Sequence, residues 1–113
     1  MSAAKAAAQF QRLADRYSGD GRISRGRMLV SEGLRVDGRF FVALVGDELL
    51  VKLQRDRVAE LIAAGLARPF ESGKGRVMRE WALVSFAASR RWRTLADEAL
   101  AFVGNWHVAS GRS

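Results

Sequence analysis

The 113-residue chain contains no cysteine, one proline and one histidine. Without cysteine it can form no disulfide, no thiolate nucleophile and no sulfur-ligated metal site. His107 is the only imidazole, so any histidine-based triad would rest on one residue close to the C-terminus, beside Trp106. A histidine in that setting is expected to be a satisfied or solvated side chain. Metal-ligand spacing is absent, and no metal or cofactor is expected. No apolar run approaches the ~20 residues of a membrane-spanning helix. The N-terminus also lacks an uninterrupted signal-peptide core. The expectation is therefore a cytoplasmic domain without a membrane partner.

Hydrophobic residues make up 49% of the chain and charged residues 27%, which excludes disorder as the main state. The length fits a single domain over 1–113, with a core over about 25–104, a helix and loop over 1–24 and a tail over 105–113. Acidic residues are scarce: 12 stand against 19 basic ones, for a formal charge of +7. Lysine occurs only at positions 5, 52 and 74, so arginine carries the excess. A basic surplus of this kind suits an anionic partner such as nucleic acid. The surplus is spread evenly, since residues 1–56 carry +3 and residues 57–113 carry +4. Two local clusters stand out: Arg22, Arg25 and Arg27 in the acid-free stretch 21–31, and Arg90, Arg91 and Arg93 in the acid-free stretch 81–96. The bland reading of both clusters is solvated loop and helix-end charge.

Residues 3–17 read as a helix, with Phe10, Leu13, Ala14 and Tyr17 at i, i+3, i+4 and i+7. From Met28 the period shortens to that of strands. Met28–Val36 reads as one strand interrupted near Gly33, Arg39–Val45 as a second and Glu48–Leu53 as a third. Asp37-Gly38 is a two-residue hairpin signal, because both turn positions favour positive φ. Along the second strand, strict alternation puts Phe40, Val42 and Leu44 on one face and Phe41, Ala43 and Val45 on the other. Both faces are apolar, so the second requires its own cover: another helix, a return of the chain or a second subunit, as in a homodimer. Arg55–Ala64 reads as a helix stopped by Gly65, Trp81–Phe86 as a strand, and about Ser89–Val103 as a last helix. Trp92, Leu95, Ala96, Ala99, Phe102, Val103 and Trp106 form the apolar stripe of that helix, and the polar tail beyond His107 is expected to fray. The order helix, three-strand meander, helix, strand, helix argues for an α+β, two-layer domain with an antiparallel sheet.

The chemistry-bearing residues give few enzymatic signals. Carboxylates stand singly, except Asp97 and Glu98, which as helical neighbours face different directions and make no acid–base pair. No catalytic residue is assigned. The loop Gly73-Lys74-Gly75-Arg76 has exposed backbone and two cations, as an anion cradle would. It lacks P-loop spacing and precedes a strand rather than a helix, so a hairpin-like turn is the default. The three tryptophans could stack on bases, but Trp92 and Trp106 belong to the core stripe.

The stretch 27–52 (RMLVSEGLRVDGRFFVALVGDELLVK) resembles the N-terminal domain of the TfoX/Sxy family. That family shows an Arg/Lys-x-Met-Phe-type opening, then a strand leading to an x-Gly hairpin, an aromatic strand and Gly-Asp-x-Leu before the third strand. The segment 73–81 (GKGRVMREW) is similar to the family's Gly-x-x-x-x-Met-x-x-Trp/Tyr pattern, and the resemblance spans about residues 25–104. It implies a fold like that of the secretion chaperones. It also implies kinship with regulators of DNA-uptake competence, which act with a cyclic-AMP receptor protein at promoters. The family supplies no catalytic residues to carry over. Val30 and Ser31 depart from its glycines, Arg90 and Arg91 from its acidic segment, and a stand-alone N-terminal domain without the C-terminal one is expected.

Three functional readings follow. The first is a non-enzymatic regulatory module that contacts a transcription-associated protein. The second is direct nucleic-acid binding through Arg22, Arg25, Arg27, Arg90, Arg91 and Arg93. The third is a small-molecule or nucleotide site at Gly73, Lys74, Gly75 and Arg76.

Overall fold

In a computed structural model of the chain, describing residues 2–28 and 31–111 with side chains over 3–28 and 31–104, the Asp37-Gly38 pair forms the expected tight turn. Both residues have positive φ, 51° and 82°. That turn sits in a longer series than the sequence suggests: α1 (Ser2–Arg16), β1 (Ile23–Met28), β2 (Ser31–Val36), β3 (Arg39–Val45), β4 (Glu48–Lys52), α2 (Arg55–Ala63), β5 (Arg68–Glu71), β6 (Val77–Val84), a 3₁₀ segment (Phe86–Arg91) and α3 (Trp92–Gly111). The described strands form one antiparallel sheet in the order β1-β2-β3-β4-β6-β5. The class is α+β, as expected.

Five local details differ from the periodicity. What reads as one strand over 28–36 is the end of β1 followed by β2, and Gly33 lies inside β2 rather than at a break. β1 escapes the pattern because only Ile23 and Met28 of its six residues are large and apolar; it is an edge strand, mostly exposed. β5 escapes because Pro69 reads as loop, although proline is tolerated on an edge strand. β6 starts at Val77, four residues before Trp81, because it pairs with β5 as a hairpin arm. The helical backbone of α3 also continues past Val103 to Gly111, where fraying is expected; no proline interrupts it.

A β-bulge corrects the expected faces of β3. Leu34 pairs with Val42 and Arg35 with Phe40, so Phe41 is an extra residue opposite the β2 ladder. Phe41 therefore shares a face with Val42 and Leu44, while Phe40 joins Ala43 and Val45. The first face carries the main core. Phe10 and Leu13 from α1 and Tyr17 just after it, Val58 and Leu61 from α2, and Trp92, Leu95, Ala96 and Ala99 from α3 all pack there. Each fully buried aliphatic or aromatic side chain in this layer contributes ~1.5–3 kcal/mol relative to exposure. Tyr17 meets the extra Phe41 edge-on at 5.7 Å.

The helix ends follow from sequence. After α2, Gly65 takes φ of +76°, and its N–H reaches Ile62 O while Leu66 N–H reaches Leu61 O. These are the paired bonds of a Schellman stop. At the start of α3, the Trp92 indole N–H donates to Ser85 O at 3.2 Å, and its ring meets Phe86 edge-on at 5.8 Å. Asp97 and Glu98 then point to opposite neighbours. Asp97 accepts from Arg16 at the end of α1 (2.8 Å) and from the hydroxyl of Tyr17, the next residue (2.6 Å), whereas Glu98 accepts two bonds from Arg57 on α2 (2.9 and 3.0 Å).

Candidate functional site

The second face of the sheet is assembled by the pleat and the bulge together. Ala43, Leu50, Trp81 and Leu83 form a buried cluster there, and Met28, Phe40, Val45, Phe70 and Met78 pack around it. Every member is a strand residue; the described helical residues of the core all belong to the other cluster. The β3 and β4 apolar residues that alternation sends away from the helices thus have a layer of their own.

Cations lie across this face. The Arg35 guanidinium stands 5.4 Å from the centre of the Phe40 ring and donates to Arg25 O at 3.1 Å. It also rests on Gly26, where an added Cβ would meet it at 2.7 Å. The Phe40 ring lies on Gly33 in the same way: a Cβ there would meet the ring at 3.0 Å and the Val42 carbonyl at 2.9 Å. The two glycines pair across β1 and β2, so a glycine step in the sheet seats an Arg–Phe stack. On β4, Lys52 stands 5.5 Å from the Trp81 ring and 3.9 Å from Glu80. A groove of about 340 Å³ is lined by Met28, Phe40, Trp81, Arg39 and Lys52, with Phe102 of α3 at its wall.

The structure places the six candidate arginines on two flanks of α1. Arg22 forks onto Asp20 just before β1 and holds that carboxyl below its ordinary range. Arg25, on β1, bonds Gln11 of α1 at 3.1 Å and pairs with Glu32. Arg27 stands opposite Glu32 in the β1–β2 register. Arg90 and Arg91 close the 3₁₀ segment and Arg93 lies in the first turn of α3; all three are exposed. Arg93 lines a second groove, of about 300 Å³, with Gln9, Arg12, Leu13 and Arg16. Gln9 and Gln11 are two residues apart on a helix, so they look to opposite sides. The two clusters do not merge. Arg12 and Arg16 are the residues that sequence reasoning passed over, although their i, i+4 spacing on α1 already put them on one flank.

The loop around Gly73, Lys74, Gly75 and Arg76 closes the β5–β6 hairpin. Ser72 N–H donates to Arg76 O at 2.8 Å and Gly75 N–H to Ser72 O at 2.9 Å, and Gly75 takes φ of +75°. Lys74 N–H points to Ser72 Oγ at 3.4 Å. Three of its backbone donors are thus used inside the turn.

Among the described residues, no three His, Asp or Glu side chains stand together as a metal site would need. No described helix is long and apolar enough to cross a membrane. The side chains of Trp106 and His107, and Val30 whole, lie outside the described residues. No protein-family model and no curated protein matches the chain.

Proposed function

We propose that this chain is a non-enzymatic regulatory interaction module of the TfoX N-terminal type, acting by protein–protein contact through the second face of its sheet. One observation carries the reading: a second apolar cluster built from strand residues alone, separate from the cluster that the three helices cover. A sheet that packs one face on helices needs only polar residues on the other. Here that face holds Phe40, Trp81, Met28 and Met78, with Arg39 and Lys52 beside them. Aromatic, methionine and arginine side chains are the types enriched at the centres of protein interfaces. A second copy of the chain or a transcription-associated protein would be the occupant.

The test compares wild type with Phe40→Asp, a half-buried position at the centre of the face. Sedimentation at micromolar concentration reads self-association, and affinity capture from the native cell reads a different partner. Loss of a dimer, or loss of one captured transcription-associated protein, in the variant supports the reading. A wild-type monomer whose captured proteins are the same as those of the variant sinks it. Circular dichroism of the variant shows that the fold survives.

A further inference from the structure

A second surface, remote from that sheet face, has a different chemistry. Arg12 and Arg16 of α1 face Arg93 of α3 across a groove of about 300 Å³, floored by Leu13. The Gln9 amide, on the same flank, points to Ser89 O (3.5 Å) in the 3₁₀ segment. That segment ends in Arg90 and Arg91, whose side chains make no hydrogen bond or ion pair with a described residue. None of the residues that line the groove is acidic, and Asp97, beside Arg16, is engaged by Arg16 and Tyr17, which with nearby Arg93 hold its carboxyl below the ordinary range. Asp15, the only acid of α1, accepts from Gln11 on the opposite flank. The groove therefore gathers arginine from two chain regions and leaves most of that charge uncompensated.

We propose that this groove, through Arg12, Arg93, Arg90 and Arg91, binds the phosphate backbone of a nucleic acid. Guanidinium forks match phosphate oxygens bidentately, and the groove is lined by arginine with no lysine. All of these side chains are exposed and none sits in a closed pocket, which suits a repeated anionic chain rather than one phosphate held deep. A lipid surface fits less well. Val77 is the only large apolar residue exposed among the described residues, and it belongs to β6, not to this groove. Arg16 is assigned to holding α1 on α3 through Asp97.

The test is fluorescence anisotropy of a labelled 20-base-pair duplex and of its single strand, titrated with the whole chain from low to high salt. Arg12→Gln with Arg93→Gln is the principal variant, and Arg90→Gln with Arg91→Gln is the second. Two controls remove the same charge elsewhere: Arg22→Gln with Arg25→Gln, and Lys74→Gln with Arg76→Gln. Wild type is expected to bind at low salt. The principal variant should bind at least tenfold more weakly, and its slope of log affinity against log salt on duplex should fall by about 1.8, at roughly 0.9 per phosphate contact. The controls should lose less than threefold. Absence of binding at low salt, or equal losses in groove variants and controls, overturns the proposal. So does equal binding, with the same arginine dependence, to polyglutamate or to anionic phosphatidylglycerol vesicles.

Discussion

Replacing Gly33 by alanine tests the glycine step directly. Alanine in a compatible conformation lowers the entropy of the unfolded chain and stabilises by about 0.4–1 kcal/mol. At Gly33 the new Cβ would lie 2.9 Å from the Val42 carbonyl and 3.0 Å from two carbons of the Phe40 ring. The carbonyl belongs to the neighbouring strand, so relief requires the ladder itself to shift. Overpacking of this kind costs about 1–3 kcal/mol. The net expectation for Gly33→Ala is a loss of about 1–2 kcal/mol, or roughly 4–12 °C in Tm at this chain length. Gly26→Ala gives the contrast, because its obstacle is the flexible Arg35 guanidinium at 2.7–2.9 Å. Moving Arg35 forfeits a cation–π contact and one hydrogen bond, about 1–2 kcal/mol in all, partly offset by the gain in chain entropy. In an Arg35→Ala background, Gly26→Ala should become neutral or stabilising, whereas Gly33→Ala should keep most of its cost. Urea denaturation of the three single and two double variants reads these values. A Gly33→Ala protein as stable as wild type, or a Gly26→Ala cost that survives loss of Arg35, would refute the reasoning.

Trp92 is fully buried with its N–H satisfied, so Trp92→Ala should cost about 3–5 kcal/mol in chemical denaturation, and Trp92→Phe much less. The Arg16–Tyr17–Asp97 contact predicts pH dependence at both ends. Its hydrogen bond from Arg16 lowers the Asp97 pKa from the ordinary 3.8, so its stabilisation is present at neutral pH and is lost as pH falls through the acid range. Burial, then the bond to Asp97, raises the Tyr17 pKa above the ordinary 10.0, so the neutral phenol's contribution is complete below pH 10 and declines above it. Thermal melts across pH should show Tyr17→Phe losing the alkaline decline, while Asp97→Asn removes the acid arm and only shallows the alkaline one, because burial of Tyr17 remains. Glu98→Gln, at a half-exposed pair, should cost under about 1 kcal/mol by denaturant midpoint. A larger loss would mean that Arg57 is less solvated than its exposure indicates.

The class and the central strands were legible because β2, β3 and β4 are short apolar runs separated by two strong turn signals. The helices were legible from their stripes. The missed elements share a cause: β1 and β5 lie at the two edges of the sheet, where one pairing partner suffices and apolar patterning is not demanded. The bulge was hidden for a different reason. Residues 40–45 are all apolar, so no polar residue marks which way each side chain points, and only the pairing of Leu34 with Val42 and Arg35 with Phe40 settles it. The two arginine clusters were visible, yet their separation by α1 was not, since it depends on how the helix lies on the sheet. The basic groove needed Arg12 and Arg16, which stand far in sequence from Arg93 and meet it only in the fold.

The two outermost strands also limit how copies of this molecule can join. β1 offers an edge bearing Arg25, Arg27 and the conformationally loose Gly26, and β5 offers Pro69, which has no amide hydrogen to donate, next to a break in register. Neither rim is a good template for a further strand. Growth of the sheet from molecule to molecule, the route to fibrils, is disfavoured at both ends.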